Sequence, residues 1–551
     1  MRSWAVIFLL AACILAACSS GEQGSLPAPP DVSAPVAGDA IVEGTIGEAS
    51  TLIPILASDS ASHAVAGQIY NGLVKYDKNL TIVGDLAQSF DISPDGLTIT
   101  FHLRKGVTWH DGAPFTSRDV LYTYRVIIDP KTPTAYAEDF KQVKNLVALD
   151  DHTVRATYGS PFAPALASWG TSILPAHLLE GKDVTKSPLA RQPVGTGPYR
   201  FKEWIAGQKI VLEFNPDYFE GRPWIDRYIY RIIPDTSTMY MEMKAGAIDL
   251  MSLTPVQYAR QTTSLQFTSR FNKFRYPSSG YLYMGYNLRH PLFGDKRIRQ
   301  AITAAIDKEE LIHGVLFGMG QKAHGPIVPG RWAYNPDVKD IAYDPKHAAD
   351  LLAQAGWREK NGDGILVRKE MVKNDDGTMV EKLKPFQFTI LTNQGNQQRL
   401  LSAQIIQQRL KYVGIDVKIR IVEWATFLKE YIDKGKFEVV MLAWNISQDP
   451  DMYDVWHSSK TNPGELNFIG FKNAEVDRLL VEGRGTFDIS KRKQAYFRIQ
   501  EILAEEQPYT FLYVPDALPV VSARIRGVEV APAGIGHNQI KWYVPKNEQV
   551  Y

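Results

Sequence analysis

Side chains able to do chemistry gather in three short stretches of the chain. His102, His110 and Asp111 lie in FHLRKGVTWHDGAPFTSRDVLYTYR (Phe101 to Arg125), where two imidazoles beside a carboxylate are the raw material of a metal site or of proton transfer. A strand and a turn separate the imidazoles, and no other His or Cys stands nearby at zinc-like spacing. The stretch therefore reads as an Asp111-Gly112 turn with His110 bonded locally. Glu359 to Glu370, with Asn361, Gly362, Asp363 and Gly364 between, approaches the calcium-loop pattern. Glu stands at its first position and a second turn, Asn374 to Gly377, replaces the exiting helix, which makes it a hairpin turn. Trp444-Asn445-Ile446-Ser447-Gln448-Asp449-Pro450-Asp451 follows an apolar strand directly and so emerges at a strand end, where α/β lobes place ligand loops. Asp449 and Asp451 could serve as acid and base there, but no partner carboxylate announces itself elsewhere and Pro450 points to a turn. The chain has no G-x-S-x-G elbow, H-E-x-x-H, P-loop or G-x-G-x-x-G, which moves weight from catalysis to binding.

These stretches need elements to hold them. Phe101, Leu103 and Val107 alternate as in a half-buried strand, and Thr116 with Asp119 can cap a helix whose stripe is Val120, Leu121 and Tyr124. The folded part starts near Ile41 with the strand IVEGTIG and runs to a helix around His63 to Leu73. Pro94-Asp95-Gly96 turns one strand pair, Asp150-Asp151 bends a second, and KIVLEFN and RYIYRII follow Gly195-Thr196-Gly197-Pro198-Tyr199. From Asp295 long helices take over, and PFQFTIL, RLLSAQIIQQRLKYVG and IDVKIRIV give the strand–helix–strand order of a mixed α/β lobe. FEVVMLAW, centred near Val440, is apolar on both faces and should be buried. Helices around Asn473 to Glu482 and Lys491 to Glu506 close that lobe.

Lys plus Arg number 61 against 60 Asp plus Glu, a formal charge of +1, so no basic field exists to attract nucleic acid. Arg2 followed by the apolar Ala5 to Ala17 makes an export signal, too short to span a bilayer comfortably. Leu15-Ala16-Ala17-Cys18 resembles the bacterial lipobox, cut before a cysteine that is then diacylated; the alternative is an ordinary secretory signal. Residues 1–17 are thus a lipoprotein signal peptide and Cys18 the lipidated residue. With Cys13 removed, no disulfide is possible. Residues 18–40, rich in Pro, Ala, Ser and Gly, form a flexible tether that reaches roughly 70 Å when nearly extended.

Several segments in the same order carry a family resemblance: HLRKGVTWHDGAPFTSRDVLYTYR, PVGTGPYRF, NPDYFEGRP with AGAIDL, DKRIRQAITAAIDKEELI with Gly325-Pro326, YDPKHAADLLAQAGW with NGDGI, and GKFEVVMLAW. From about Ile41 to its C-terminus the chain resembles the family-5 extracellular solute-binding proteins, the dipeptide, oligopeptide and nickel receptors of ABC importers. The resemblance implies an α/β, two-lobe periplasmic-binding-protein fold of type 2, the Venus flytrap, with an extra N-terminal subdomain. Lobe I would take residues 41–72, 190–292 and 516–551, the subdomain 73–189 and lobe II 293–515. It also implies a lipid-anchored, extracytoplasmic monomer that passes a peptide or small solute to an ABC permease, with no cofactor, no metal, no catalytic residue and no nucleic-acid partner.

In peptide-binding relatives the ligand main chain lies beside a tryptophan that matches Trp444, which makes Ala443 and Asn445 the expected partners of an extended ligand. Trp424 matches a second cleft tryptophan, Tyr136 an aromatic of the subdomain, and Tyr513 the last cleft segment. Ser447 stands where those relatives carry the aspartate for the ligand ammonium, leaving Asp449 or Asp451 to reach it. A ligand without a free amine, such as a blocked peptide, a sugar or a nickel chelate, stays open. So do a secreted hydrolase of peptides or glycans using Asp449 and Asp451, and a receptor that signals.

Overall fold

The computed structural model describes residues 34–359, 362–373 and 378–551. The expected signal peptide, Cys18 and the first part of the tether lie outside the described residues, as do Lys360, Asn361 and Asn374 to Gly377. The first sheet is built on β1 (Ala40–Thr45) and β2 (Arg227–Ile232), which run parallel with Ala40 opposite Arg227. Its seven strands run in the order 271–273, 519–522, 250–252, β1, β2, 209–214, 199–205. Both faces of β1 are covered: Ile41 packs with Val65 and Ile69 of the helix α1 (Ser60–Ile69), and Val42 packs with Met239 and Met243 on the other side. A strand buried on both faces should be apolar throughout. Glu43 is the charged exception in this one.

Order begins before the expected boundary at 41. Asp39 is buried because its carboxylate pairs with Arg524, which also holds Asp249 at 2.7 Å and donates to the Ala40 carbonyl.

The second sheet is built on β3 (Gly280–Tyr286), β4 (Gln387–Asn393), β5 (Val439–Asn445) and β6 (Tyr509–Ala517), in the spatial order β6, β3, β5, β4. The helix α2 (Gln397–Tyr412) carries the chain from β4 to the parallel strand Asp416–Val422, as the strand–helix–strand pattern anticipates. One core lies on each face: Met284, Val439 and Met441 belong to one, Tyr283, Val440 and Leu442 to the other. β3 corrects the expected division at 292: it is buried along its whole length between β5 and β6, so the second half already starts near Gly280.

Two chain crossings join the sheets and run side by side. Tyr276 and Pro277 pair with Ala517 and Asp516, and Arg275 holds Asp516 at 2.6 Å.

A smaller sheet of strands Ala87–Ile92, Thr98–Leu103, Val143–Asp150 and Thr153–Tyr158 carries the helix Ser117–Ile128, with the expected Thr116–Asp119 capping box. Its residues share a single continuous core with Ile41 and α1. His110 does not bond locally. Its backbone N–H donates to the Gly195 carbonyl, and its ring lies 3.0 Å from the Gly197 carbonyl and accepts from the Gly195 N–H. Burial drives this imidazole down to about 4, so it is neutral at physiological pH. His102 instead meets Asp91, and His177 meets Asp111, so the stretch assembles no shared site. At the hairpin around Gly362 to Gly364, Glu370 is paired with Arg368 and Lys384, which removes it as a calcium ligand.

The joint at Gly195 depends on a missing side chain. A Cβ there would fall 1.8 Å from the Ile69 carbonyl oxygen, and one on Gly197 2.5 Å from the Gln68 carbonyl oxygen. Gly195→Ala is expected to lower the unfolding free energy by about 1–3 kcal/mol, read from urea denaturation. Gly67→Ala, with open space at its Cβ, should leave stability unchanged or slightly raised.

Candidate functional site

A cavity of about 350 Å³ lies between the two main sheets, with Glu43, Glu48 and Tyr230 on the first-sheet wall and Asn393, Arg399 and Trp424 on the second. The walls touch beside it: a Cβ on Gly47 would meet the Trp424 ring at 3.5 Å, and one on Gly395 would fall 2.3 Å from the Pro234 carbonyl oxygen.

Arg399 sits in the first turn of α2, where Asn396 caps the helix by accepting from the Arg399 backbone N–H. Its Nη1 donates to Asn393 Oδ1 at 2.7 Å, while its Nε is sealed from solvent and has no partner. Burial pulls the guanidinium down to about 10, so it still carries its charge at neutral pH. Trp424 presents a second orphan: its ring stacks on Phe427 at 5.9 Å, and its buried Nε1–H donates to nothing. Buried donors without acceptors are costly. Both residues line the cavity, so the positive charge of Arg399 faces whatever enters it.

The opposite wall carries a carboxyl. Glu43 Oε2 accepts from Tyr228 Oη at 2.6 Å, and burial pushes the acid up to about 7. Glu48 is already engaged, accepting from Trp204 Nε1 at 2.5 Å and from the Gly207 N–H.

A second recognition element lies along β5. β4 pairs with it only at Val439 and Val440, whereas β3 follows it to Asn445. The hydrogen bond from Ile446 N to Ser279 O fixes the phase of the ladder, so Trp444 turns its main chain toward β3 and Ala443 and Asn445 turn theirs away. Among the described residues no strand pairs with that free edge, which can accept an added extended chain. The Trp444 ring is stacked parallel to Tyr283, with centroids 6.3 Å apart, and its Nε1 donates to Tyr509 Oη at 3.3 Å.

Of the residues singled out in the sequence, Trp424 alone lines the cavity. Trp444, Ala443 and Asn445 define the edge beside β5. Tyr513 is a core residue whose hydroxyl meets Ser402 at 3.0 Å, and Tyr136 is half-buried and donates to the Ala57 carbonyl at 2.8 Å. Both are tied into the framework rather than aimed at the cavity. Ser447 is exposed and donates to the Asp449 carbonyl. Asp449 is held by Arg492 at 2.7 and 2.9 Å and lines a separate groove of about 890 Å³ with Tyr76, Phe162, Trp332 and Phe487. Asp451 shares the buried Arg484 with Asp139 of the smaller sheet's unit, and burial raises both acids. Neither Asp449 nor Asp451 is a free carboxylate for an amine or for acid–base work, because each already neutralises a buried arginine.

Glu43, Asn393 and Arg399 escaped the sequence reading. A lone acid in the apolar run Ile41-Val42-Glu43 and the helix-capping Asn396 before Arg399 were the available signals.

The family model described as bacterial extracellular solute-binding proteins, family 5 Middle, matches residues 81–465. The chain is 34% identical to the oligopeptide-binding protein AppA of Bacillus subtilis, covering 98% of each. Among solved structures, that of AppA from Bacillus subtilis in complex with a nonapeptide superposes with a TM-score of 0.86 at 33% identity, covering 93% of this chain and 100% of the other. NikZ from Campylobacter jejuni in complex with Ni(L-His) gives a TM-score of 0.80 at 27% identity over 92% and 99% of the two chains.

The raised acid predicts a pH signature. Between about 4.5 and about 7 the folded Glu43 holds a proton that the unfolded chain has released, so the folded state loses ground as pH rises through that window. Relative to Glu43→Gln, the wild type is expected to lose unfolding free energy across this range and to run level with the variant below it, as measured by urea denaturation at a series of pH values.

Proposed function

The chain belongs to the bacterial extracellular solute-binding proteins of family 5, and from that premise we propose that it captures an oligopeptide or similar solute between its two lobes and delivers it to an ABC permease. The family is one of binding proteins that work outside the cytoplasm. What carries the reading is the charged Arg399, free of ion pairs among the described residues, beside Trp424 on one wall of a cavity whose other wall belongs to the opposite sheet. Closure without a solute leaves the Arg399 charge without a counter-ion, and closure on a solute with a carboxylate supplies one, so the solute's own chemistry favours the closed state. The free edge at Ala443 and Asn445 supports a ligand with a peptide main chain. The paired crossings at Tyr276 and Ala517 supply a hinge for rigid-body closure.

The cavity volume favours a second reading beside this one. About 350 Å³ is near the lower end of small-molecule sites, which suits a short peptide or an amino-acid chelate. Among the described residues no cluster of three His, Cys, Asp or Glu side chains could hold a metal, so a metal would arrive already chelated.

Anchoring rests on Cys18. Among the described residues no helix is long and apolar enough to cross a membrane, and diacylation of Cys18 would tether the body instead.

In a thermal-shift screen, a bound peptide at 100 times its dissociation constant should stabilise the folded state by about 2.7 kcal/mol. Arg399→Met should weaken a peptide with a free C-terminal carboxylate by about 1.5–3 kcal/mol and its amidated form by less. Absence of any shift across di- to pentapeptides would sink the peptide assignment. Separately, Cys18→Ser should move the protein from the membrane fraction to the soluble fraction of fractionated cells.

A further inference from the structure

We propose that Glu43 is a cation subsite of the cavity: its carboxylate receives an ammonium or guanidinium group of the bound solute, while Arg399 on the facing wall receives the solute's anionic end. This rests on the reading of the cavity as the solute site. It goes further by fixing the charge pattern of what enters.

Glu43 lies in a strand whose neighbours Ile41 and Val42 are buried on opposite faces. An acid there is costly unless something compensates it. The buried acids Asp39, Asp249, Asp59 and Asp85 of this half are compensated. Asp39 and Asp249 share Arg524, Asp59 accepts from Ser50 and Ser62, and Asp85 lies 3.4 Å from Lys75. Glu43 has one hydrogen bond, from Tyr228 Oη to Oε2, and among the described residues neither an ion pair nor a partner for Oε1. It is half-buried because it opens onto the cavity. Glu48, the other carboxyl of the lining, is used up by Trp204 and Gly207.

The surroundings suit a cation. Tyr230 lines the cavity beside Glu43, and its ring packs against Tyr228 with centroids 4.9 Å apart, so an aromatic face flanks the carboxylate. The titratable groups around Glu43 are Tyr228, Tyr230 and Tyr199 on its own side, all held protonated by burial, with Glu48 and Arg399 elsewhere on the lining. α1 contributes only uncharged residues to the lining. The halves therefore close a lone acid and a lone guanidinium, from opposite walls, into one chamber. A solute carrying both charges neutralises both at once, and neither wall can do so for the other through the hydrogen bonds and ion pairs they form.

The acid's elevated position near 7 supplies an independent readout, because a cation settling on Glu43 expels its proton.

The test is titration calorimetry on the full-length protein at about pH 7, with trialanine and alanyl-lysyl-alanine, each with a free and an acetylated N-terminus. Wild type, Glu43→Gln and Tyr228→Phe are compared; Gln keeps an acceptor for Tyr228, and Phe removes the structural bond while leaving the acid. Glu43→Gln should weaken peptides that place a cation in the site at least about tenfold and leave acetyl-trialanine unchanged. A loss that follows the free N-terminus identifies an α-ammonium, and one that follows lysine identifies a side chain. The wild type should also release protons on binding, seen as a buffer-dependent heat, and Glu43→Gln should not. Equal affinity of wild type and Glu43→Gln for all four peptides, or the same loss in Tyr228→Phe as in Glu43→Gln, overturns the proposal and leaves the solute-binding reading standing. Failure of all four to bind the wild type overturns the peptide reading, and this proposal with it.

Discussion

Tyr276 and Pro277 pair with Ala517 and Asp516, and at that ladder the chain passes between the two sheets in both directions. The crossings lie side by side and are cross-linked by Arg275 and Asp516, a joint that in the proposed closure would allow rotation about one line and resist sliding. Glu43 rides on β1 and Arg399 on α2, so the joint sets how far apart the two walls of the cavity stand. Every other feature of the site inherits this constraint. Wall contacts such as Gly47 against Trp424 bridge the two halves beside the cavity.

Buried charge is distributed unevenly around this axis. Arg524, Arg484 and Arg492 each satisfy one or two carboxylates and fasten chain segments that are remote in sequence. Arg399 and Glu43 have hydrogen bonds to Asn393 and Tyr228 but no counter-ion. The first kind of charge holds the framework, and removing one partner would strand the other. The second kind is left without a counter-ion by the framework, so a rigid framework and a pair of uncompensated charges coexist in one chain.

The sequence made local features legible and non-local ones invisible. The Thr116–Asp119 capping box, the β4–α2–strand unit and the doubly buried β5 follow from spacing and periodicity, which act within a few residues. His110 meeting Gly195 and Gly197, and Asp449 meeting Arg492, join residues far apart in the chain, and no pattern in either partner announces the other. Aromatics misled for a related reason. Tyr513 and Trp424 look alike as isolated residues, but the first sits in a central strand under α2 and the second at a helix start facing the opposite half. β3 follows a crossing, and its membership of the second sheet comes from pairing with β5 and β6, strands more than 150 residues further along the chain.

The smaller sheet shares its core with β1 and α1, so it moves with the first half, yet its Asp139 and Glu138 are bonded to Arg484 and Lys460 of the second. Separating the halves therefore means pulling these carboxylates off buried cations before water can reach them. Such a cost falls on departure more than on arrival: encounter happens with the ions apart and hydrated, whereas release must first break them. In the proposed cycle Arg484 and Lys460, which touch no part of the cavity, would therefore add to the barrier for release rather than to the contacts with the solute.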